Sequence, residues 1–148
     1  MARVFIDGFE AGDLKLWDSI SGGTVPAATT GMDGSYNALF GITDYIQKNL
    51  PEAGEYYVAF RWRASAVQTH QLITFYNGTT VLGWLGSSSA GVLTGYRGTG
   101  TGSPLKVADI SLSSATTYLI EVRFKPLDSG GVFQVKVDGI LVLEYSGD

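Results

Sequence analysis

The sequence alternates between apolar and polar residues over several long segments, and this period of two constrains the fold more than any other feature. In residues 55–65 every second side chain from Tyr56 to Trp62 is large and apolar, and residues 118–125 and 132–137 repeat the pattern. Successive side chains of a strand point to opposite faces, so each segment buries one face and exposes the other. The pattern therefore predicts antiparallel sheets with one buried face.

Turn sequences rich in glycine separate these segments. Asp138-Gly139 and Asn77-Gly78 are two-residue hairpin signals, and DSGG at 128–131 joins two further strands. No segment carries a convincing helical pattern. Roughly a dozen short strands joined by such turns indicate an all-β fold, an antiparallel β-sandwich or jelly roll.

The composition is that of a folded protein with an acidic balance. The chain has 148 residues, of which 45% are hydrophobic and 16% charged. No linker or internal repeat divides it, so residues 1–148 are predicted to form a single jelly-roll domain. Ten basic against 14 acidic residues give a formal net charge of −4, which argues against a nucleic-acid partner, because such partners require a basic face.

Several residue types and segments are missing from the sequence. It has no cysteine and one histidine, His70, which excludes disulfides, thiolate metal sites and histidine clusters. The first residues lack the apolar stretch of roughly 7–15 residues that a secretory leader needs. No segment approaches the roughly 18 apolar residues of a membrane span. We therefore expect no membrane association, and a chain that stays in the cytoplasm, leaves by cell lysis or has lost a leader.

Two segments resemble a known group of β-sandwiches. The run TTYLIEVRFKPLDSGGVFQVKVDGILVLEYSG is similar to the end of laminin G-like, concanavalin A-like jelly rolls, in which a strand that opens on an aromatic leads through a glycine-rich turn to a strand ending in VDG. Here the aromatic is Tyr118 and the VDG is 137–139. The opening FIDGFEAGDLKLW resembles the first strand of related bacterial and phage-encoded sandwiches. The resemblance implies a concanavalin A-like jelly roll.

Domains of this kind serve as glycan-binding modules, as glycosidases, or as surface and decoration domains of phage particles. A laminarinase-like glycosidase would carry Glu-x-Asp-x-x-Glu on its active strand. The sequence has no such motif, and its nearest acidic cluster, Asp7, Glu10 and Asp13, has a different spacing. The glycines of 98–102 lack the Gly-Lys-Ser/Thr and the following helix of a phosphate loop. We therefore expect neither catalysis nor nucleotide binding.

Four carboxylates are candidates for a structural calcium ion, which prefers hard oxygen ligands. They are Asp7, Asp13, Asp138 and Asp148. The first three also have ordinary roles in turns, and the fourth is the last residue. We expect no obligatory cofactor or metal, and a structural calcium ion remains an open alternative.

Glycan binding would need an aromatic platform for the apolar face of a sugar and polar groups for its hydroxyls. The candidates are Trp84, Tyr96, Arg97, Tyr57 and His70. Alternation around Trp84 does not decide which face its ring occupies. Trp17 and Trp62 lie among large apolar residues and are predicted to be core.

Basic residues recur on the polar face of two predicted strands. The predicted strand 55–63 carries Arg61 and Arg63 on this face, and the predicted strand 118–125 carries Glu121, Arg123 and Lys125. If the strands are neighbours, Arg61 and Glu121 could form an ordinary cross-strand charge pair. The alternative is a basic patch that docks onto a carboxylate-bearing surface.

The stretch GYRGTGTGSP at 95–104 combines the end of a strand with a glycine-rich loop. Tyr96 and Arg97 belong to the residue types that dominate protein interfaces. Ordering so many glycines costs conformational entropy, so a turn of this length without a role would be wasteful. Because such loops usually contact a partner surface, we interpret the stretch as a contact arm. A mobile loop without a partner is the alternative.

These observations favour a non-catalytic structural, decoration or adhesion protein of a phage virion. It would dock to capsid or tail proteins through loops and sheet faces, as a homo-oligomer. The alternative is a carbohydrate-binding, lectin-like module, with surface glycans as partners and an extracellular location.

Overall fold

The structure, a computed structural model, describes residues 15–22, 25–28, 36–39, 45–51, 53–99, 104–126 and 130–147. All twelve strands in these ranges pair antiparallel and the ranges contain no helix, which confirms the all-β, antiparallel prediction. No helix in the described ranges is therefore long and apolar enough to span a membrane. The chain divides into two compact units, Met1–Glu52 and Ala53–Asp148. The single jelly-roll domain stays a prediction.

The described residues of the first unit include two strand pairs. Strands β1 and β4 pair with each other, as do β2 and β3. Their bounds are β1 Ser19–Ser21, β2 Val25–Ala28, β3 Tyr36–Leu39 and β4 Tyr45–Gln47. Asp18 ties the end of the first pair together, because its carboxylate accepts hydrogen bonds from the backbone N–H of Asn49 at 2.6 Å and from Lys48 Nζ at 3.3 Å. The bond from the Asn49 N–H, assisted by Lys48, lowers the pKa of Asp18.

The second unit consists of two four-stranded sheets. Sheet I has the order β12-β11-β10-β5 and sheet II the order β6-β7-β8-β9. The strands are β5 Tyr56–Trp62, β6 His70–Asn77, β7 Thr80–Ser87, β8 Val92–Arg97, β9 Pro104–Ser111, β10 Tyr118–Lys125, β11 Gly131–Val137 and β12 Ile140–Gly147. Strands β6 to β9 form one meander and β10 to β12 another, and the pairing of β5 with β10 spans the intervening chain.

The two sheets enclose one apolar core, an arrangement compatible with a β-sandwich. Phe75 of sheet II stacks on Phe124 of sheet I with ring centroids 4.3 Å apart. Phe133 meets the same ring edge-on at 5.7 Å. Leu85 and Leu93 contribute fully buried side chains from sheet II. Large apolar side chains on facing sheets thus hold the second unit together.

The inner face of sheet II has glycines at the positions where aromatic rings of sheet I pack against it. A side chain at Gly83 would place its Cβ 3.1 Å from Cε2 of Phe124, and one at Gly95 would lie 3.2 Å from Cε1 of Phe133. Both rings therefore pack closely on the backbone of sheet II, and a side chain at either glycine would require the ring to move by a few tenths of an ångström.

The alternation predicted from the sequence is confirmed in sheet I. Strand β5 alternates half-buried with exposed residues, and β10 and β11 carry fully buried residues at every second position along most of their lengths. Trp62, a predicted core residue, packs against the core and lies 6.4 Å from the ring of Tyr118.

The hairpins follow the turn signals with one shift. Val137 pairs with Ile140, and Asp138 and Gly139 take positive φ angles of 51° and 81°, which confirms the two-residue turn. The Asp138 carboxylate also accepts a hydrogen bond from the Leu119 N–H at 2.8 Å.

The predicted Asn77-Gly78 turn lies one residue further along the chain. Asn77 still pairs with Thr80, so the loop consists of Gly78 and Thr79. In the predicted turn at 128–131, residues 128 and 129 lie outside the described ranges.

Replacing Gly91 by alanine should destabilise the second unit strongly. Gly91 has a φ of +78° in the turn between β7 and β8, and a Cβ there would lie 2.2 Å from the Leu112 carbonyl oxygen. Left-handed strain and steric overlap should together lower the free energy of unfolding by about 2–4 kcal/mol. Urea denaturation of the variant measures this loss.

Gly54→Ala is the matched control, because nothing lies within 4 Å of a Cβ at Gly54. Its free energy of unfolding should stay within about 0.5 kcal/mol of the parent. Equal stability of the Gly91→Ala and Gly54→Ala variants would contradict the close approach of Leu112.

Candidate functional site

Four side chains form a row across the outer face of sheet I. The strand register places Arg123 opposite Tyr57 on one side and opposite Gln134 on the other. Gln134 in turn lies opposite Glu144. Each strand of sheet I thus contributes one residue to this polar row, which consists of Tyr57, Arg123, Gln134 and Glu144.

Hydrogen bonds join Arg123, Gln134 and Glu144 of the polar row, and a cation–π contact adds Tyr57. Arg123 donates from Nε to Glu55 Oε1 at 2.6 Å and from Nη1 to Gln134 Oε1 at 3.1 Å. Gln134 Nε2 donates to Glu144 Oε1 at 2.5 Å. The guanidinium carbon of Arg123 lies 5.7 Å from the centroid of the Tyr57 ring, within cation–π range. These contacts hold the side chains of the row in one arrangement.

The ion pair in this network shifts the titration of both partners. The hydrogen bond from Arg123 is the main cause that lowers the pKa of Glu55. The same bond raises the pKa of Arg123. Both groups are therefore charged at neutral pH.

The outer face of sheet I is basic although the chain is acidic. Its strands carry four cations, Arg61, Arg123, Lys125 and Lys136, near the carboxylates Glu55, Glu121 and Glu144, and the exposed Arg63 directly follows β5. We call these eight residues the basic face, whereas the whole chain has a net charge of −4.

The two predicted strands that carry Arg61 and Glu121 are neighbours, but these residues are not directly opposite each other. Arg61 lies opposite Leu119, and Glu121 opposite Ala59. Any attraction between Arg61 and Glu121 is therefore diagonal, because the register offsets them by two residues.

Trp84 and Tyr96 come together on the other sheet. Gly83 and Leu85, the neighbours of Trp84, face the core, so its ring lies on the side of sheet II that faces away from sheet I. The ring stacks on Tyr96 with centroids 3.9 Å apart and lies over Gly86, where a Cβ would come within 2.5 Å of Cζ3. Trp84 is only 6% exposed, which leaves its ring little surface for a sugar.

The remaining predicted site residues lie apart from this stack. Arg97 is exposed at the end of β8 and pairs with Gly83, so it lies on the opposite face from Tyr96. Tyr57, Arg61 and Arg63 share the basic face. The structure therefore separates the predicted set into a stack of buried Trp84 on half-buried Tyr96, a residue at a strand end and a group on the basic face.

Several predictions concern residues outside the described ranges. Asp7, Glu10, Asp13 and Asp148 are among them, as are residues 100–103 of the glycine-rich loop. In the described ranges no three His, Cys, Asp or Glu side chains cluster in a way that could hold a metal ion.

Sequence reasoning did not single out Gln134 and Glu144. Gln134 was assigned correctly to the polar face of its strand, but the alternation gave no reason to connect it with Glu144. Their contact depends on an irregularity in the pairing of β11 and β12 between Val135 and Lys136. The sequence carries no signal for it, because residues 140–143 are all apolar.

Comparison of the chain with protein-family models, curated proteins and solved structures found no match.

The titration of Glu55 should report the state of the polar row. Because its pKa lies below the ordinary value of 4.5, the stabilisation from the ion pair should be present above pH 4.5 and should be lost as the pH falls through the lowered pKa. An NMR titration of the Glu55 side-chain carboxyl carbon should give a midpoint below 4.5 in the parent.

Replacing Arg123 should reverse the lowering of the Glu55 pKa. In Arg123→Gln the midpoint of Glu55 should move back toward 4.5, whereas the control Lys136→Gln should leave it unchanged. A parent midpoint at or above 4.5 would contradict the ion pair.

Proposed function

We propose that this protein is a non-catalytic structural or decoration protein of a phage virion, with a concanavalin A-like jelly-roll fold. The observation that carries the proposal is the basic face on an otherwise acidic chain. Its partner would be an acidic surface of a capsid or tail protein. The protein would act as a homo-oligomer, as most repeating components of assemblies do.

Physical chemistry supports docking through the basic face. Complementary charge accelerates the encounter of two protein surfaces and orients them. Tyr57 is 49% exposed, lies opposite Arg123 and shares its face of β5 with Arg61, and tyrosine and arginine are enriched among residues that dominate binding energy. The hydrogen bonds that Arg123 donates to Glu55 and Gln134 fix its side chain before contact, which reduces the entropy lost on binding.

The assignment to a virion rests on the resemblance of the opening segment to the first strand of bacterial and phage-encoded sandwiches. Mass spectrometry of purified particles, from the phage or prophage whose genome encodes the chain, tests it directly. We expect the protein in purified particles at a fixed copy number relative to the major capsid or tail protein. Its absence from particles, with synthesis in the infected cell, would overturn the assignment.

Charge reversal on the basic face should weaken docking. The assay is co-sedimentation of the purified protein with particles that lack it. The double variant Arg61→Glu, Arg63→Glu should bind these particles about tenfold or more weakly, and added salt should weaken the binding of the parent protein in the same way. Lys106→Glu places one reversed charge on sheet II and should have little effect. Equal losses in both variants would argue against the basic face as the docking surface.

Carbohydrate binding is the second candidate, and one observation favours it. The half-exposed Tyr57 ring lies beside Arg123 and in one row with the hydrogen-bonding groups of Gln134 and Glu144, and sugar recognition requires such a combination of ring and polar groups. A glycan array probed with and without calcium separates the candidates. We expect no binding; strong binding to one sugar class would favour the second candidate instead.

Two tyrosine variants would then locate the sugar site. Tyr57→Ala should abolish any such binding, whereas Tyr76→Ala should retain it, because Tyr76 is similarly exposed, at 54%, but lies at the end of β6. Loss of binding in both variants would place the sugar site elsewhere.

A further inference from the structure

The hairpin between β6 and β7 places an asparagine directly before a glycine at an exposed turn. The chain has asparagines at 37, 49 and 77, and only Asn77 is followed by glycine. Asn77 is exposed and pairs with Thr80, so Gly78 and Thr79 form the loop. Within the described ranges, neither the Asn77 side chain nor the Gly78 N–H forms a hydrogen bond. A side-chain amide and a main-chain nitrogen therefore lie next to each other without a partner in this part of the chain.

The conformation of Gly78 leaves this turn open. Its φ is +57°, and nothing lies within 4 Å of the position that a Cβ would take. Because glycine has no side chain, its nitrogen is accessible to the residue before it. Strand β6 is the first in the order β6-β7-β8-β9, so only one described strand holds it in sheet II. Small movements of the turn therefore cost little packing.

We propose that Asn77 is a site of spontaneous imide formation, which converts it to aspartate and isoaspartate in the folded protein. The Gly78 nitrogen loses its proton to hydroxide and attacks Cγ of Asn77. The new N–Cγ bond replaces the bond from Cγ to Nδ2, and ammonia leaves with one proton from water. One water molecule then opens the five-membered imide. Cleavage of the N–Cγ bond gives aspartate, cleavage of the bond to the Asn77 carbonyl carbon gives isoaspartate, and nothing is oxidised or reduced.

Isoaspartate would alter the hairpin at the residue that closes it. Its main chain passes through Cβ and Cγ, so the chain is one carbon longer at position 77. The pairs Asn77–Thr80 and Tyr76–Val81 would lose their register. Either product also adds one negative charge to a chain with a net charge of −4. The modification would thus loosen the end of β6, and it is independent of the virion assignment.

Asn49 provides a control within the same chain. It is also exposed, but Leu50 follows it, and its Oδ1 accepts a hydrogen bond from Gln47 Nε2 at 3.3 Å. The Leu50 side chain hinders the approach of its own nitrogen to Cγ of Asn49. The same reaction should therefore be slow at Asn49.

Peptide mass spectrometry tests the proposal on the full chain, kept folded in mildly alkaline buffer for several weeks. Trypsin releases residues 64–97, which contain Asn77, and residues 49–61, which contain Asn49. We expect the first peptide to gain about 1 Da at least tenfold faster than the second, and to be methylated by an isoaspartate-specific carboxyl methyltransferase. No gain in residues 64–97, or equal rates in the two peptides, would overturn the proposal.

The variant Asn77→Gln assigns the change to this residue. It should abolish the rapid gain in mass, because the corresponding imide has a six-membered ring and closes more slowly. An undiminished gain would place the reaction at Gln68 or Gln71, which lie in the same peptide, and would overturn the assignment.

NMR spectra of the parent, recorded during the same incubation, show whether the folded turn reacts. We expect new amide signals to replace those of Tyr76 and Thr80, while the signal of Leu143 in the core stays unchanged. Loss of the Leu143 signal at the same rate would show that the reaction requires unfolding, which would overturn the proposal.

Discussion

The stack of Phe75 on Phe124 joins the two sheets, and much of the second unit depends on it. Phe124 of this stack packs against the backbone at Gly83, and the neighbouring Phe133 packs against the backbone at Gly95. Because neighbouring residues of a strand face opposite ways, burial of Phe124 also forces Arg123 and Lys125 outward. The contact that builds the core therefore also sets the positions of cations on the basic face.

The polar row is better explained by its geometry than by its contribution to stability. Exposed ion pairs typically contribute about 0–1 kcal/mol, so the pair of Arg123 with Glu55 has little effect on the fold. Its consequence is positional: four strands present side chains that are already oriented toward one another. A surface that is rigid before contact loses less entropy on binding, which is why we connect this row with docking.

Local patterns in the sequence predicted the faces of the strands, but not the pairings that assemble the site. Alternation placed Phe133 inward and Gln134 outward correctly, and Asp138-Gly139 gave the hairpin. An unbroken hairpin would set Gln134 opposite Leu143, whereas the irregular pairing sets it opposite Glu144. The face of Trp84 was undecidable for a similar reason, because β6 and β7 also change register near Leu82. Such shifts arise from packing across the sheets, which a single strand does not encode.

The pairing of β5 with β10 has a consequence for the order in which the second unit assembles and opens. The other pairings within its sheets join strands that are consecutive in the chain, but this one must first close the segment from 63 to 117. Closing a long loop delays a contact during folding. Strand β5 should therefore dock late and detach early, and its amide hydrogens should exchange with solvent before those of β11. Tyr57 and Arg61 would leave with it, so the basic face can come apart by local opening while the core remains closed.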